Sequence, residues 1–175
     1  LKKFTSFLLF FICCQGLFGY LTVSLKLLPL IVTGHLFGGF ITLSLFFYLY
    51  LSSTKKIISY QIGHLKPLAA IALIALIVQI FLGVWTSTNY ASLACLDFPT
   101  CHGSFLPEMD FSNGFNLFQE VGPNYLFGLL DNEARVAIHY SHRVSALLVS
   151  CIFAVLISRL WFSNAAPLAF TLGVV

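Results

Sequence analysis

Long apolar runs, separated by short polar segments, set the pattern of this chain. Four runs are long enough to cross a bilayer as helices, which takes about 20 residues each: 4–21, 30–51, 67–86 and 134–161. A fifth run begins at Pro167. The segment 87–133 is too polar, and too often broken by glycine and proline, to cross. The pattern therefore predicts an all-α fold, a polytopic transmembrane helical bundle.

Composition and charge exclude a soluble domain and give no sign of a nucleic-acid-binding surface. Hydrophobic residues make up 59% of the chain and charged residues 9%, and the mean hydropathy is +0.94. All six acids lie between Asp97 and Glu133, whereas lysines and Arg159 flank the apolar runs. The net charge of +3 therefore reflects orientation in a membrane.

The positive-inside rule orients the spans. The connection 52–66 carries three lysines and is expected in the cytoplasm, with Arg159 on the same side. The acidic loop 87–133 then lies outside, which predicts an integral protein of a bacterial-type plasma (inner) membrane, embedded in lipid. Leu1 and a short last run suggest a fragment cut at both ends. The aromatic residues expected at the membrane edges are Trp85, Tyr90 and Trp161.

The fourth run opens with two histidines and an arginine. His139 and His142 are three residues apart and share one helix face, and Arg143 follows directly. Ionisable groups inside a membrane helix are costly unless something polar or metallic receives them. Imidazole is an iron ligand, and guanidinium pairs with carboxylates such as haem propionates. The cluster favours a haem site over the simpler alternative, a histidine hydrogen-bonded inside a helix bundle.

His35 is a second candidate ligand, near the start of the second run. Counted back from the cytoplasmic lysines and arginine, it lies at a depth similar to that of His142. Gly38 and Gly39 beside it would let a bulky planar ligand or another helix approach closely. Ligands three residues apart on one helix cannot bind opposite faces of one haem. His139 is therefore expected to be a proton-handling or hydrogen-bonding neighbour of His142.

A short internal repeat relates the first and third runs. Three identities recur at equal spacing: Gln15 and Gln79, Gly19 and Gly83, Thr22 and Thr86. The repeat indicates a duplicated bundle, an architecture that places a site between similar halves. Chance similarity between two apolar helices is the alternative.

The outward loop contains two cysteines, Cys95 and Cys101. An oxidising compartment favours a disulfide between them, and Pro99 bends the chain in a way that helps to close it. A Cys-Cys-His metal site with His102 and a pair of free thiols are the alternatives. The five-residue gap between the cysteines excludes covalent haem attachment of the c type.

Several of these stretches resemble haem A synthase. They are LGVWTSTNYASLACLDFPTC (82–101), IHYSHR (138–143), TVSLKL (22–27) and TGHLFGGF (33–40). The likeness runs over nearly all 175 residues. It implies eight spans in two similar four-helix halves, of which this chain would hold the third to sixth spans and the start of the seventh. Residues 1–51 would then end the N-terminal half, 52–66 would be the cytoplasmic connection, and 67–175 would begin the C-terminal half.

The resemblance also implies roles for individual residues. His35 matches the fourth-span ligand of the substrate-haem iron, and His142 matches the sixth-span ligand of the haem b iron. Arg143 and His139 belong to the same cofactor-binding region, and Cys95 and Cys101 match the external cysteine pair. The partner histidines and a glutamate important for catalysis fall on spans outside this sequence, so no catalytic residue of this chain is identified.

The function implied is oxidation of the C8 methyl of haem O to the formyl of haem A, for cytochrome oxidase assembly. Haem b would be the cofactor and haem O the substrate, with the enzyme that makes haem O as a candidate partner. The electron acceptor is not specified by the sequence, and a homo-oligomer is compatible with it. The alternatives are a di-haem cytochrome b that relays electrons to quinone and a non-enzymatic haem-handling assembly protein.

Overall fold

The computed structural model describes residues 2–53, 63–119 and 128–163. This part of the chain is helical and contains no β-strand. Its α-helices are α1 (Lys2–Ser24), α2 (Pro29–Ser53), α3 (Lys66–Thr88), α4 (Phe111–Gly114) and α5 (Asn132–Trp161), with a turn of 3-10 helix at Gly63–Leu65. Four of them, all but α4, are long and apolar enough to cross a membrane. The expected helical membrane fold is therefore confirmed, whereas Lys55, Lys56 and the run from Pro167 lie outside the described residues.

The chain forms two compact units, each described by itself. The first comprises residues 1–56 and 84–140, and the second comprises residues 57–83 and 141–175. Both α3 and α5 thus contribute one end to each unit. The assignment of 1–51 and 67–175 to the two halves of a duplicated protein stays a prediction.

In the first unit, α1 and α2 form an antiparallel hairpin. No charged residue lies between Lys3 and Lys26, so nothing interrupts α1. Lys26 and Leu27 then adopt positive φ angles of 57° and 65°, and the backbone N–H of Leu27 donates to the carbonyl of Thr22 at 2.8 Å. This left-handed turn satisfies a carbonyl at the end of α1. Pro29 begins α2, a position where its missing N–H costs nothing.

The loop after α3 packs on the start of α5 in the same unit. A buried cluster contains Cys95 and Cys101 of the loop and Val136 of α5. The short helix α4 is capped by Asp110, whose carboxylate accepts from the backbone N–H of Asn113 at 3.0 Å. The backbone N–H of Asp110 in turn donates to the carbonyl of Glu133 at 3.1 Å. The described part of the loop before residue 120 therefore packs over the N-terminal end of α5.

The second unit pairs the N-terminal part of α3 with the C-terminal part of α5. Its core contains Leu65 before α3, Ala72 of α3, and Leu156 and Leu160 of α5. Ala72 is 2% exposed, and its small side chain lets α5 approach α3 closely. This packing fixes the register of α5 against α3 and so determines which α3 residues face His142.

Candidate haem-ligand site

His142 packs directly against the backbone of α3 in the second unit. A Cβ atom built on Gly83 would stand 3.3 Å from Cε1 of the His142 ring, a tight contact. One turn earlier on α3, Nε2 of Gln79 lies 3.1 Å from Nδ1 of His142. Gly83 therefore makes room for the imidazole, and Gln79 binds one of its two nitrogens.

His35 has the same relationship to α1 in the first unit. A Cβ atom built on Gly19 would stand 3.3 Å from Cε1 of His35. Gln15 again lies one turn before the glycine. Within the described residues, Nδ1 of His35 and Oε1 of Gln15 are both buried and have no hydrogen-bond partner.

The internal repeat thus corresponds to a repeated structural element. In each unit, one helix carries glutamine and then glycine four residues later, and the next long helix places a histidine edge on that glycine. Sixteen residues separate Gly19 from His35, whereas 59 separate Gly83 from His142 because the long loop intervenes. The geometry recurs despite this difference, which argues against chance similarity between the two runs.

The glycine pair beside His35 divides into two environments. The amide of Gln15 occupies the space that a Cβ on Gly38 would take, so Gly38 is in close contact with α1. Gly39, in contrast, has no neighbouring atom within 4 Å of its Cβ position. The expectation of close approach is met at Gly38, whereas Gly39 lies in open space.

An apolar groove lies beside His35. It has a volume of about 250 Å³, and its lining consists of His35, Leu36, Gly39, Phe40 and Leu43. An imidazole at the edge of an apolar groove suits a flat, largely apolar ligand that needs one nitrogen donor. The residues present therefore fit one face of a haem.

The surroundings of His142 also fit an axial haem ligand. The ring is half-buried, and one nitrogen, Nδ1, is engaged by Gln79. Binding iron through the other nitrogen, Nε2, is favoured when a polar side chain engages Nδ1 and so orients the ring. Arg143 follows on the same helix and is half-buried. A guanidinium next to the ligand is suited to a propionate.

His139 is engaged with the loop. Its ring is 8% exposed, and Nδ1 accepts a hydrogen bond from the backbone N–H of Cys95 at 3.2 Å. From the sequence, His139 was expected to be a hydrogen-bonding neighbour of His142. That its own hydrogen-bond partner would be the loop was not predicted. Its place among the cofactor-binding residues stays a prediction.

Cys95 and Cys101 form a disulfide, with Cα atoms 4.9 Å apart. Their side chains are buried against Val136 of α5. With both sulfurs bonded to each other, neither can serve a Cys-Cys-His metal site, and the described residues contain no cluster of three metal-ligating side chains. The expected disulfide is confirmed, and the alternatives of a metal site with His102 and of free thiols are wrong.

The carboxylate of Asp97 organises the turn around the disulfide. It accepts hydrogen bonds from the Thr100 hydroxyl and from the backbone N–H groups of His102, at 2.8 Å, and Gly103, at 2.9 Å. His102 and Gly103 both have positive φ, 54° and 75°, which turns their N–H groups toward the carboxylate. The hydrogen bonds, from Thr100 above all and then from Gly103, hold the pKa of Asp97 well below its usual range. Sequence reasoning assigned Asp97 no role.

Trp85, one of the aromatic residues expected at the membrane edge, has its side chain packed inside the protein. Its side chain is fully buried, at 0% exposure, and its Nε1–H donates to the carbonyl of Gly114 at 2.8 Å. The indole therefore binds the loop to α3. His64, in the 3-10 turn before α3, is exposed as expected.

Comparisons with known proteins agree with the resemblance seen in the sequence. The family model COX15-CtaA, described as cytochrome oxidase assembly protein, matches residues 1–175. The heme A synthase of Shewanella oneidensis is 40% identical over 166 residues, which cover 93% of this chain and 50% of that protein. The chain thus spans about half the length of this curated relative. No solved structure matches the chain. With the family model matching end to end, the chain belongs to the COX15-CtaA family of cytochrome oxidase assembly proteins.

Proposed function

We propose that this chain is part of a haem A synthase, which oxidises the C8 methyl of haem O to the formyl of haem A. The observation that carries the proposal is the repeated element, in which a histidine packs on a glycine one turn after a glutamine, once in each unit. An enzyme that holds a substrate haem and an electron-transferring haem at separate sites needs two such histidines. The name of the Shewanella oneidensis relative supports the same activity.

The reaction is an oxidation by four electrons. A methyl group and one water molecule give a formyl group, four protons and four electrons, so the oxygen comes from water. Haem b, when bound, supplies one-electron transfer. The proposal does not specify the acceptor that receives electrons from haem b. The protein's task is to hold the two haems, to orient the substrate and to keep the pocket apolar.

Each residue has a distinct part in this proposal. His35 holds the iron of haem O at the edge of its apolar groove, and His142 holds the iron of haem b. Arg143 receives a propionate of haem b, since it follows the ligand on the same helix. His139 supports this region from the loop side through its bond to Cys95.

The proposed location is the bacterial-type plasma membrane, with the loop 87–133 on the outer side. The support is the distribution of charge, since the acids are confined to residues 97–133 and five of the six lysines flank the other ends of the spans. The proposed partners are haem O, the enzyme that makes it, and membrane lipid.

The test compares His35→Ala and His142→Ala in the intact, membrane-inserted protein. The first change should abolish haem A formation and leave the haem b absorption spectrum in place. The second should abolish the low-spin haem b spectrum and leave haem O binding in place. His64→Ala is the matched control, since His64 is exposed and precedes α3, at the opposite end of that helix from Gly83.

Two outcomes would contradict the proposal. Retention of both haem spectra in both variants would show that these histidines are not ligands. Haem reduction by quinol, without conversion of haem O, would show a relay cytochrome in place of a haem A synthase.

A further inference from the structure

Gln79 makes a polar contact that membrane insertion alone does not explain. Its side chain lies on α3 one turn before Gly83, and its Nε2 is 3.1 Å from Nδ1 of His142. Its Oε1 is buried and has no hydrogen-bond partner among the described residues. Burying an amide oxygen without a donor is unfavourable, so this oxygen needs a partner in the working protein.

We propose that Gln79 is a positioning residue for His142, and Gln15 for His35: each glutamine oxygen accepts the Nδ1–H of its histidine and thereby fixes the nitrogen that binds iron. This inference rests on the proposed function, because it assumes that both histidines are haem ligands. Its subject is the pair of glutamines, to which neither the family nor the relative assigns a role.

The chemistry of imidazole requires an acceptor beside each of these histidines. A neutral histidine that binds a metal through Nε2 carries its proton on Nδ1, and that proton needs an acceptor. A carboxamide can present either end to the ring, since its oxygen and nitrogen occupy nearly equivalent positions. Turning the Gln79 amide by half a rotation places the unpartnered Oε1 at Nδ1 of His142. The same turn leaves Nε2 of the histidine available for iron.

The first unit contains the same two partners in an unpaired state. Nδ1 of His35 and Oε1 of Gln15 are both buried without a partner in the described part of the chain. Gln15 precedes Gly19 by four residues, so it shares a helix face with the glycine on which His35 packs. Its amide rests on Gly38 and occupies the space that a side chain at this position would fill. A change of rotamer would pair the two orphaned groups.

A purely structural role for the glutamines makes a different prediction. If Gln79 only filled space, methionine would replace it, since methionine has a similar length and fills irregular gaps well. If Gln79 accepts the Nδ1 proton, methionine removes that acceptor and weakens electron donation from the imidazole to iron. Glutamate restores an acceptor at the same position. The electronic properties of the bound haem therefore separate the two roles.

The experiment uses Gln79→Met and Gln79→Glu in the intact, membrane-inserted protein loaded with haem. The readouts are the midpoint potential of haem b, the electron paramagnetic resonance of its ferric form, and the affinity for haem. Gln79→Met should raise the potential and weaken haem binding by about 10- to 100-fold. Gln79→Glu should bind haem normally, with a potential at or below that of the unchanged protein. Gln15→Met is the matched control, because it should alter the haem held by His35 and leave haem b unchanged.

The outcomes separate this inference from the proposed function. An unchanged potential and spectrum in Gln79→Met, with haem b lost in His142→Ala, would overturn the inference and leave the function standing. If Gln79→Met loses haem altogether, recovery in Gln79→Glu supports the inference, and failure to recover overturns it. Retention of haem b in His142→Ala would instead overturn the proposed function.

Discussion

The ring of His139 is a hydrogen-bond acceptor for the backbone N–H of Cys95, at 3.2 Å. One turn of α5 therefore holds the disulfide loop through His139 and presents His142 to α3. The hydrogen bond is long-range, since 44 residues separate its partners. It gives the two histidines different tasks although they lie three residues apart.

We predict that His139→Ala keeps the haem b spectrum and loosens the loop, whereas His142→Ala loses the spectrum. Removing the acceptor takes away the hydrogen bond that the buried N–H of Cys95 makes to His139, a loss of about 1–3 kcal/mol. The Cys95–Cys101 disulfide should then be reduced at least fivefold faster, measured by thiol labelling after a mild reductant. His64→Ala should change neither readout. Loss of haem in His139→Ala and its retention in His142→Ala would reverse the ligand assignment.

The second prediction concerns the glycines under the histidines. Gly19→Ala and Gly83→Ala each place a Cβ at 3.3 Å from a histidine ring, so the ring must move by a few tenths of an ångström. Overpacking of this kind costs about 1–3 kcal/mol, and we expect haem binding at the affected site to weaken roughly tenfold. Haem titration, followed by absorption, measures this.

The matched control for these variants is Gly16→Ala on α1. Nothing lies within 4 Å of the Cβ position of Gly16, so alanine should leave haem binding unchanged there. If haem binding weakened equally in Gly16→Ala and Gly19→Ala, the cause would be a general effect on helix flexibility. The contact between Gly19 and His35 would then have no special importance.

The third prediction separates Gly38 from Gly39. Leucine at Gly39 fills open space in the groove beside His35 and should block a planar ligand directly. Leucine at Gly38 collides with Gln15 and should act by displacing that amide. Both variants should insert into the membrane normally, because leucine is well accommodated by lipid. Substrate-haem occupancy should fall in both and stay normal in Gly16→Leu; normal occupancy in all three would show that the groove is incidental.

The fourth prediction is a pH dependence of the loop. The depressed pKa of Asp97 means that its hydrogen bonds stabilise the loop above the usual carboxyl pKa of about 3.9 and are lost as pH falls further, toward the pKa in the folded protein. The rate at which a phosphine reduces the Cys95–Cys101 disulfide should therefore show no effect of Asp97 protonation near neutral pH. In acid, where Asp97 becomes protonated, this rate should rise.

Asp97→Asn supplies the comparison for this pH profile. Asparagine keeps one acceptor and cannot titrate, so its disulfide should be reduced faster than that of the unchanged protein near neutral pH, with a flatter profile in acid. Identical acid profiles for the two proteins would show that a different group controls the loop.

Much of the fold follows from the sequence alone, because a membrane span is specified locally. Every backbone polar group in lipid must be paired within its own helix, so a long uncharged run determines a helix by itself. The predicted span 4–21 corresponds to α1 (Lys2–Ser24), and the predicted span 30–51 corresponds to α2 (Pro29–Ser53). The left-handed turn at Lys26 and Leu27 ends the first and Pro29 starts the second, both from local chemistry. His35 and His142 stood out for the same local reason, as ionisable groups within such runs.

The partners of those histidines were decided only by the tertiary structure. The spans are apolar on all sides, since lipid and the protein interior select the same residues, so the pattern does not show which face of α3 meets α5. Packing of small residues such as Ala72 fixed that register and brought Gln79, 63 residues away in sequence, to His142. The partner of Trp85 was hidden from the sequence for the same reason, because its indole binds the carbonyl of Gly114 in a distant part of the loop. Hydrophobicity determined that the helices cross the membrane, and close packing determined which polar groups meet between them.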